Sequence, residues 1–119
     1  MNYEEALNKI INDGIEAAKQ SYAKPGDELK LNGAIAGFEA CRGLSPTSIG
    51  ELMKKAFKTA EVCAVVQDPE YWYWRCRALE IQWVANVISA ILDAQRLPVI
   101  VHPTVRGVKK AAEIIGVGG

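Results

Sequence analysis

Six side chains in one short stretch could hold a small ligand: Arg75, Arg77 and Glu80, set among Trp72, Trp74 and Trp83. Arginine grips a carboxylate or phosphate through two parallel hydrogen bonds, and aromatic walls with a few charged groups are what a small-molecule pocket contains. The same residue types also fill ordinary helix interfaces, where arginine stacks on the rings and Arg77 can pair with Glu80 three positions on. Two further groups could serve as acid or base. His102, the single histidine, sits in the segment bounded by Pro98 and Pro103, where a stiff backbone can present it near neutral pH, but no carboxylate stands close in sequence to orient it. Glu39 is the other, with Arg42 three residues later on the same helical face.

Other chemistries lack their residues. Cys41, Cys63 and Cys76 with one histidine share none of the short spacings of a structural zinc site, so no metal is expected. Odd in number and embedded in apolar patterns, the three cysteines read as buried reduced thiols, which suits a reducing cytoplasm. Gly33 and Gly37 lie inside an apolar helical pattern with no lysine in the required place, so there is no phosphate-binding loop and no cofactor is expected. Neither serine nor cysteine carries a nucleophile signature.

Charge narrows the partners. Fourteen basic and fourteen acidic residues give zero net charge, whereas a nucleic-acid binder draws its affinity from a basic excess. The outline of a helix-turn-helix over residues 36–57, which would face Ser48, Glu51, Lys54 and Lys55 toward DNA, is disfavoured on that ground. The most apolar run, residues 81–97, contains Gln82, Asn86, Ser89, Asp93 and Arg96, too many polar groups for a bilayer, so no membrane partner is expected. The start, Met-Asn-Tyr-Glu-Glu, lacks the basic-then-apolar pattern of a secretion signal, and a soluble cytoplasmic protein is the expectation.

The elements that would position these residues are all helical. A chain of 119 residues that is 50% apolar and 24% charged can bury one core without disulfide or metal, giving a single domain over residues 1–119. Tyr3, Leu7, Ile10, Ile11, Ile15, Ala18 and Tyr22 recur at three and four, predicting a first helix over 3–22 with Glu4 and Glu5 in its first turn. Gly14 predicts a bend or a close helix crossing in its middle. A second helix is predicted from the Asp27 cap to Arg42, stopped by Gly43; its small residues Gly33, Ala36, Gly37 and Ala40 form a groove for another helix backbone. Ser45 and Pro46 open a third, with Ile49, Leu52, Met53, Ala56, Phe57, Ala60, Cys63 and Ala64 inward.

Asp68 and Pro69 repeat that device and predict a long central helix over about 68–97. At 1.5 Å per residue it would span about 43 Å against a domain roughly 35 Å across, and so overhang its own globule. Arg75, Gln82, Asn86, Ser89, Asp93 and Arg96 fall on one narrow stripe of it, with Arg77 and Glu80 almost opposite. A short extended link, residues 98–103, precedes a last helix with Val105, Val108, Ala111, Ala112 and Ile115 as its apolar edge and Gly116 as its stop. Val117, Gly118 and Gly119 read as a loose tail.

The fold expected is therefore all-α, a five-helix bundle-like domain around one long helix. An overhanging apolar helix calls for a partner, so the leading expectation is a self-associating, non-enzymatic interaction module, a homodimer or a binder of another protein, anchored by Trp72, Trp74 and Trp83. The alternative is a binder of anionic small molecules, or an enzyme, using an aromatic-lined cleft at the start of the long helix.

Overall fold

Five helices account for the architecture of the computed structural model, which describes residues 1–116; the expected tail, residues 117–119, lies outside the described residues. They are α1 (Tyr3–Ser21), α2 (Glu28–Cys41), α3 (Pro46–Val65), α4 (Tyr71–Ala94) and α5 (Val105–Ile115). Their limits follow from local chemistry. The side chains of Asn2, Ser45 and Thr104 accept from the amides of Glu5, Ser48 and Gly107, which satisfies donors that a helix start leaves unpaired. Gly116 closes α5 in the left-handed conformation, with φ of 72°.

The central helix is shorter than the sequence predicts. Asp68 does not cap it: its Oδ1 accepts from the Glu70 amide at 2.8 Å, forming a tight turn that spends Pro69 and delays the helix to Tyr71. At the other end Arg96 takes φ of 60° and the Leu97 amide returns to the Leu92 carbonyl, a left-handed stop made without glycine. The remaining 24 residues span about 36 Å at 1.5 Å per residue. The molecule, α4 included, is 43 Å along its longest axis, so the helix spans most of that length. From Ile81 to Ile91 it is buried apart from Gln82 and Trp83.

The small-residue groove of α2 receives α4 as the spacing predicts. A Cβ on Gly37 would stand 2.5 Å from the Arg77 carbonyl oxygen, and one on Gly33 would collide with the Tyr73 carbonyl. Successive turns of the two backbones therefore touch, and only glycine allows it. Ala36 and Ala40, expected in the groove, stay partly exposed, while Ala34 is fully buried. Gly14 serves the close crossing foreseen for it, because the ring of Phe38 occupies the space a side chain there would need. Helices α2 and α3 both lie along α4 and scarcely touch each other, an arrangement unlike the mutually packed helices of a helix-turn-helix.

Two sequence expectations about faces are corrected. Asn86 and Ser89, assigned to the wet stripe of α4, are buried. Ser89 Oγ accepts from the amides of Ile100 and Val101 at 3.1 and 3.2 Å, and Asn86 Oδ1 accepts from the Thr104 amide at 3.0 Å. The link bends at Ile100 and Val101 and forms neither helix nor strand that would satisfy its amides, so these side chains do so and fasten it across the core. The second correction concerns α5. Its buried residues are Gly107, Ala111 and Ile114, and Val105, Val108 and Ile115 face outward. Any side chain on Gly107 would strike Asn86 Oδ1, so that glycine is turned to the core and the valines away from it.

Candidate functional site

The residues singled out around the start of α4 do not converge on one site, because helical geometry sends them to different surfaces. Arg75 is exposed. Trp72 is half-exposed, with the Lys30 ammonium 4.7 Å from its ring centre. Arg77 lies over Trp74, 4.8 Å from the ring centre, and donates to the Tyr73 hydroxyl at 3.0 Å. Its Nε is buried without a partner. It makes no ion pair with Glu80 among the described residues, so neither a core pair nor a shared pocket joins the two. Glu39 forms a two-pronged pair with Arg42 at 2.9 and 3.0 Å, and Arg42 also donates to Asn8 and Asn12, which ties the end of α2 to α1. His102 is exposed on the link. The cysteines are buried and free, and burial pushes the Cys41 thiol up to about 12. Among the described residues no three His, Cys, Asp or Glu side chains are grouped as a metal site. No helix there is long and apolar enough to cross a membrane.

Glu80 and Trp83 instead face a cleft of about 710 Å³ between α1, α4 and α5, floored by Phe38 of α2. This volume is in the range of small-ligand sites, roughly 300–1,000 Å³. Each wall brings different chemistry. Helix α1 contributes Asp13, Ala17 and Ser21, with Tyr22 just past its end; α4 contributes Glu80, Gln82, Trp83 and Asn86; the last segment contributes Thr104, Arg106 and Lys110. Ala17 leaves little bulk on the α1 side of the cleft, Gly14 admits the Phe38 ring that floors it, and Gly107 brings the α5 backbone down onto Asn86.

The charges across the cleft are unequally satisfied. Lys110 donates to Asp13 at 2.8 Å, Lys9 reaches the other oxygen of Asp13 at 3.2 Å, and Glu113 lies 3.3 Å from Lys110. Burial pushes the Asp13 carboxyl up, but the hydrogen bonds from Lys110 and Lys9 outweigh it and hold it below its ordinary value. Arg106 has no such company. Its guanidinium lies 5.3 Å from the centre of the Trp83 ring, and among the described residues it makes neither a hydrogen bond nor an ion pair.

Glu80 is the perturbed group. Burial pushes its carboxyl up to about 7, against the attraction of Arg106, so near neutral pH it is divided between a hydrogen-bond-donating acid and an acceptor-only anion. Tyr22, beside it, is pushed up to about 12 by burial, by a hydrogen bond from the Cys76 thiol and by the neighbouring Glu80 charge. It remains a neutral phenol throughout the ordinary pH range.

Of the sequence candidates, then, the cleft gathers Glu80 and Trp83 and omits Arg75, Arg77, Trp72, Trp74, Glu39 and His102. Asp13, Tyr22, Arg106 and Lys110 were not anticipated. Arg106 and Lys110, four apart, mark one face of α5, but nothing in sequence says that this face meets α1 and α4. No protein-family model, curated protein or solved structure matches the chain.

Proposed function

We propose that the protein is a small-molecule-binding helical domain and that the cleft between α1, α4 and α5 is its binding site. The observation that carries this reading is Glu80: a carboxyl pushed to about 7 in a concave, aromatic-walled site beside an arginine without an anionic partner among the described residues. Concavity, an aromatic wall and a perturbed titratable group together are the usual physical marks of a ligand site. The test is a thermal-shift screen of small organic anions, cations and neutral compounds, repeated on Ala17→Trp. Ala17 is exposed and lines the cleft, so the indole fills the site without entering the core. The expected result is a set of stabilising compounds lost in that variant. A screen in which no stabilising compound depends on a small residue at 17 overturns the reading.

Self-association is the second reading, favoured by a different surface from the overhang that the sequence suggested. Val105, Val108 and Ile115 of α5 are 73%, 51% and 37% exposed, and with Ala112 they repeat at three, four and three residues, the spacing of a helix-pairing seam. Trp72, at 48% exposed, is the one of the three tryptophans open enough to anchor a contact elsewhere. Sedimentation equilibrium at micromolar concentration decides: a dimer that Val108→Lys dissociates supports this reading, and a monomer removes it.

A further inference from the structure

The class of ligand follows from how the cleft's charges are balanced, on the reading that it is a binding site. Asp13, Lys9, Lys110 and Glu113 neutralise one another at its α1–α5 edge. Tyr22 is a neutral phenol, and the Cys76 thiol behind it is likewise pushed up by burial and stays protonated. Gln82, Asn86, Ser21 and Thr104 are uncharged. Two groups then set the net charge of the interior, Arg106 from α5 and Glu80 from α4. With Glu80 ionised they cancel, and the cleft offers nothing to an anion. With Glu80 protonated the cleft carries one unbalanced positive charge and an acid O–H donor, with the Trp83 indole beneath the guanidinium as an apolar floor.

We propose that the cleft takes a small aromatic or otherwise apolar monocarboxylate, whose anionic group is held by Arg106 and accepts a hydrogen bond from the protonated carboxyl of Glu80, so that one proton enters with each ligand. The balance is simple. Ionised Glu80, a proton from solvent and the ligand carboxylate give a Glu80 acid hydrogen-bonded to the ligand anion, and no covalent bond other than that O–H is made. Arg106 supplies the two-pronged hydrogen bonding for which guanidinium is suited, and the ligand's apolar body lies along Ala17, Leu79 and the edge of the Trp83 ring that Arg106 leaves open. A cation is disfavoured, because Arg106 already occupies the indole face on which it would stack. A dianion is disfavoured because the cleft offers one unbalanced cation to hold it.

The experiment is isothermal titration of the 119-residue chain with phenylacetate, its neutral amide and phenethylamine between pH 6 and 8.5, in two buffers of different ionisation enthalpy. Phenylacetate is expected to bind best. With a free-protein carboxyl near 7, its affinity should fall about thirtyfold from pH 6 to 8.5, with buffer-dependent heat reporting proton uptake approaching one per ligand at the alkaline end. Glu80→Gln, whose amide donates at every pH, should keep the affinity seen at pH 6 and lose the pH dependence. Arg106→Ala, at an exposed position, should fold and lose binding of phenylacetate tenfold or more. Preference for the amide or amine overturns the monocarboxylate while leaving a binding cleft. Equal pH dependence in wild type and Glu80→Gln overturns the role of Glu80. No saturation by any of the three probes at millimolar concentration overturns the ligand class, and the Ala17→Trp screen then judges the cleft independently.

Discussion

Replacing Gly37 with alanine should destabilise the protein, although helix propensity alone says the opposite. In the interior of α2, alanine is favoured over glycine by about 1 kcal/mol. Against that, the new Cβ would sit 2.5 Å from the Arg77 carbonyl oxygen and 3.1 Å from its Cα, both backbone atoms of α4 that no rotamer change can clear. A relaxed carbon–oxygen contact of about 3.3 Å requires the helices to part by roughly 0.8 Å along that vector. Such a shift loosens the packing of Phe38, Ala34 and Cys41 beneath, all fully or almost fully buried. Overpacking of this kind costs about 1–3 kcal/mol, so the two effects leave a net loss of about 0–2 kcal/mol at Gly37. Gly33, whose Cβ would meet the Tyr73 carbonyl more closely, should lose more, and the double variant less than the sum of both, because one parting of the helices relieves both clashes. The assay is urea unfolding followed by far-ultraviolet circular dichroism. Asn32→Ala, at an exposed site on the same helix, is the control that reports propensity alone and should gain a few tenths of a kcal/mol. If Gly33→Ala stabilises as the control does, α2 does not lie backbone to backbone on α4 and the reasoning fails.

Two further outcomes follow from buried polar groups. The folded protein holds the Glu80 proton up to about 7, whereas the unfolded chain releases it near the ordinary glutamate value of 4.5; the raised carboxyl therefore contributes fully below that lower value, and its contribution is lost as pH rises through the upper one. Allowing for its partial exposure, wild type should lose about 1–3 kcal/mol between pH 4.5 and 7.5 that Glu80→Gln does not, read as diverging urea midpoints, and parallel pH profiles would contradict the assignment. Ser89→Ala leaves the Ile100 and Val101 amides without their acceptor, which should cost about 1–3 kcal/mol and raise hydrogen exchange at those two amides ahead of the rest of the core. Unchanged exchange there would mean that the link is fastened by something else.

Local chemistry made much of the fold legible. Ser45 and Pro46 start a helix wherever they precede an apolar repeat, Gly116 ends one in the left-handed conformation, and the glycines of α2 announce a close backbone neighbour, since caps, φ preferences and the lack of a Cβ are properties of a few consecutive residues. The all-helical class, the five helices and the burial of the three cysteines follow from periodicity in the same way. Even so, the sequence could not foresee that Asn86 and Ser89 would be buried. A polar side chain reads as wet until a distant segment with unsatisfied amides is laid across it, and that segment begins eleven residues after Ser89.

The candidate site divides along the same line. Sequence alone determined that Arg77 and Glu80 stand off the polar stripe of a largely apolar helix and that tryptophans surround them. Three positions on a helix differ by about 60° in direction, enough for the grooves beside α4 to take one residue each. Arg77 went to the aromatic shelf of Tyr73 and Trp74, and Glu80 to the cleft shared with α1 and α5. Only the tertiary structure decided which groove opened into a cleft and that Arg106, some 26 residues downstream, would stand across it. Burial and the charges brought near it set what a carboxyl does, and both are properties of the packed chain: they turned Glu80 from a surface acid into a group poised near neutral pH.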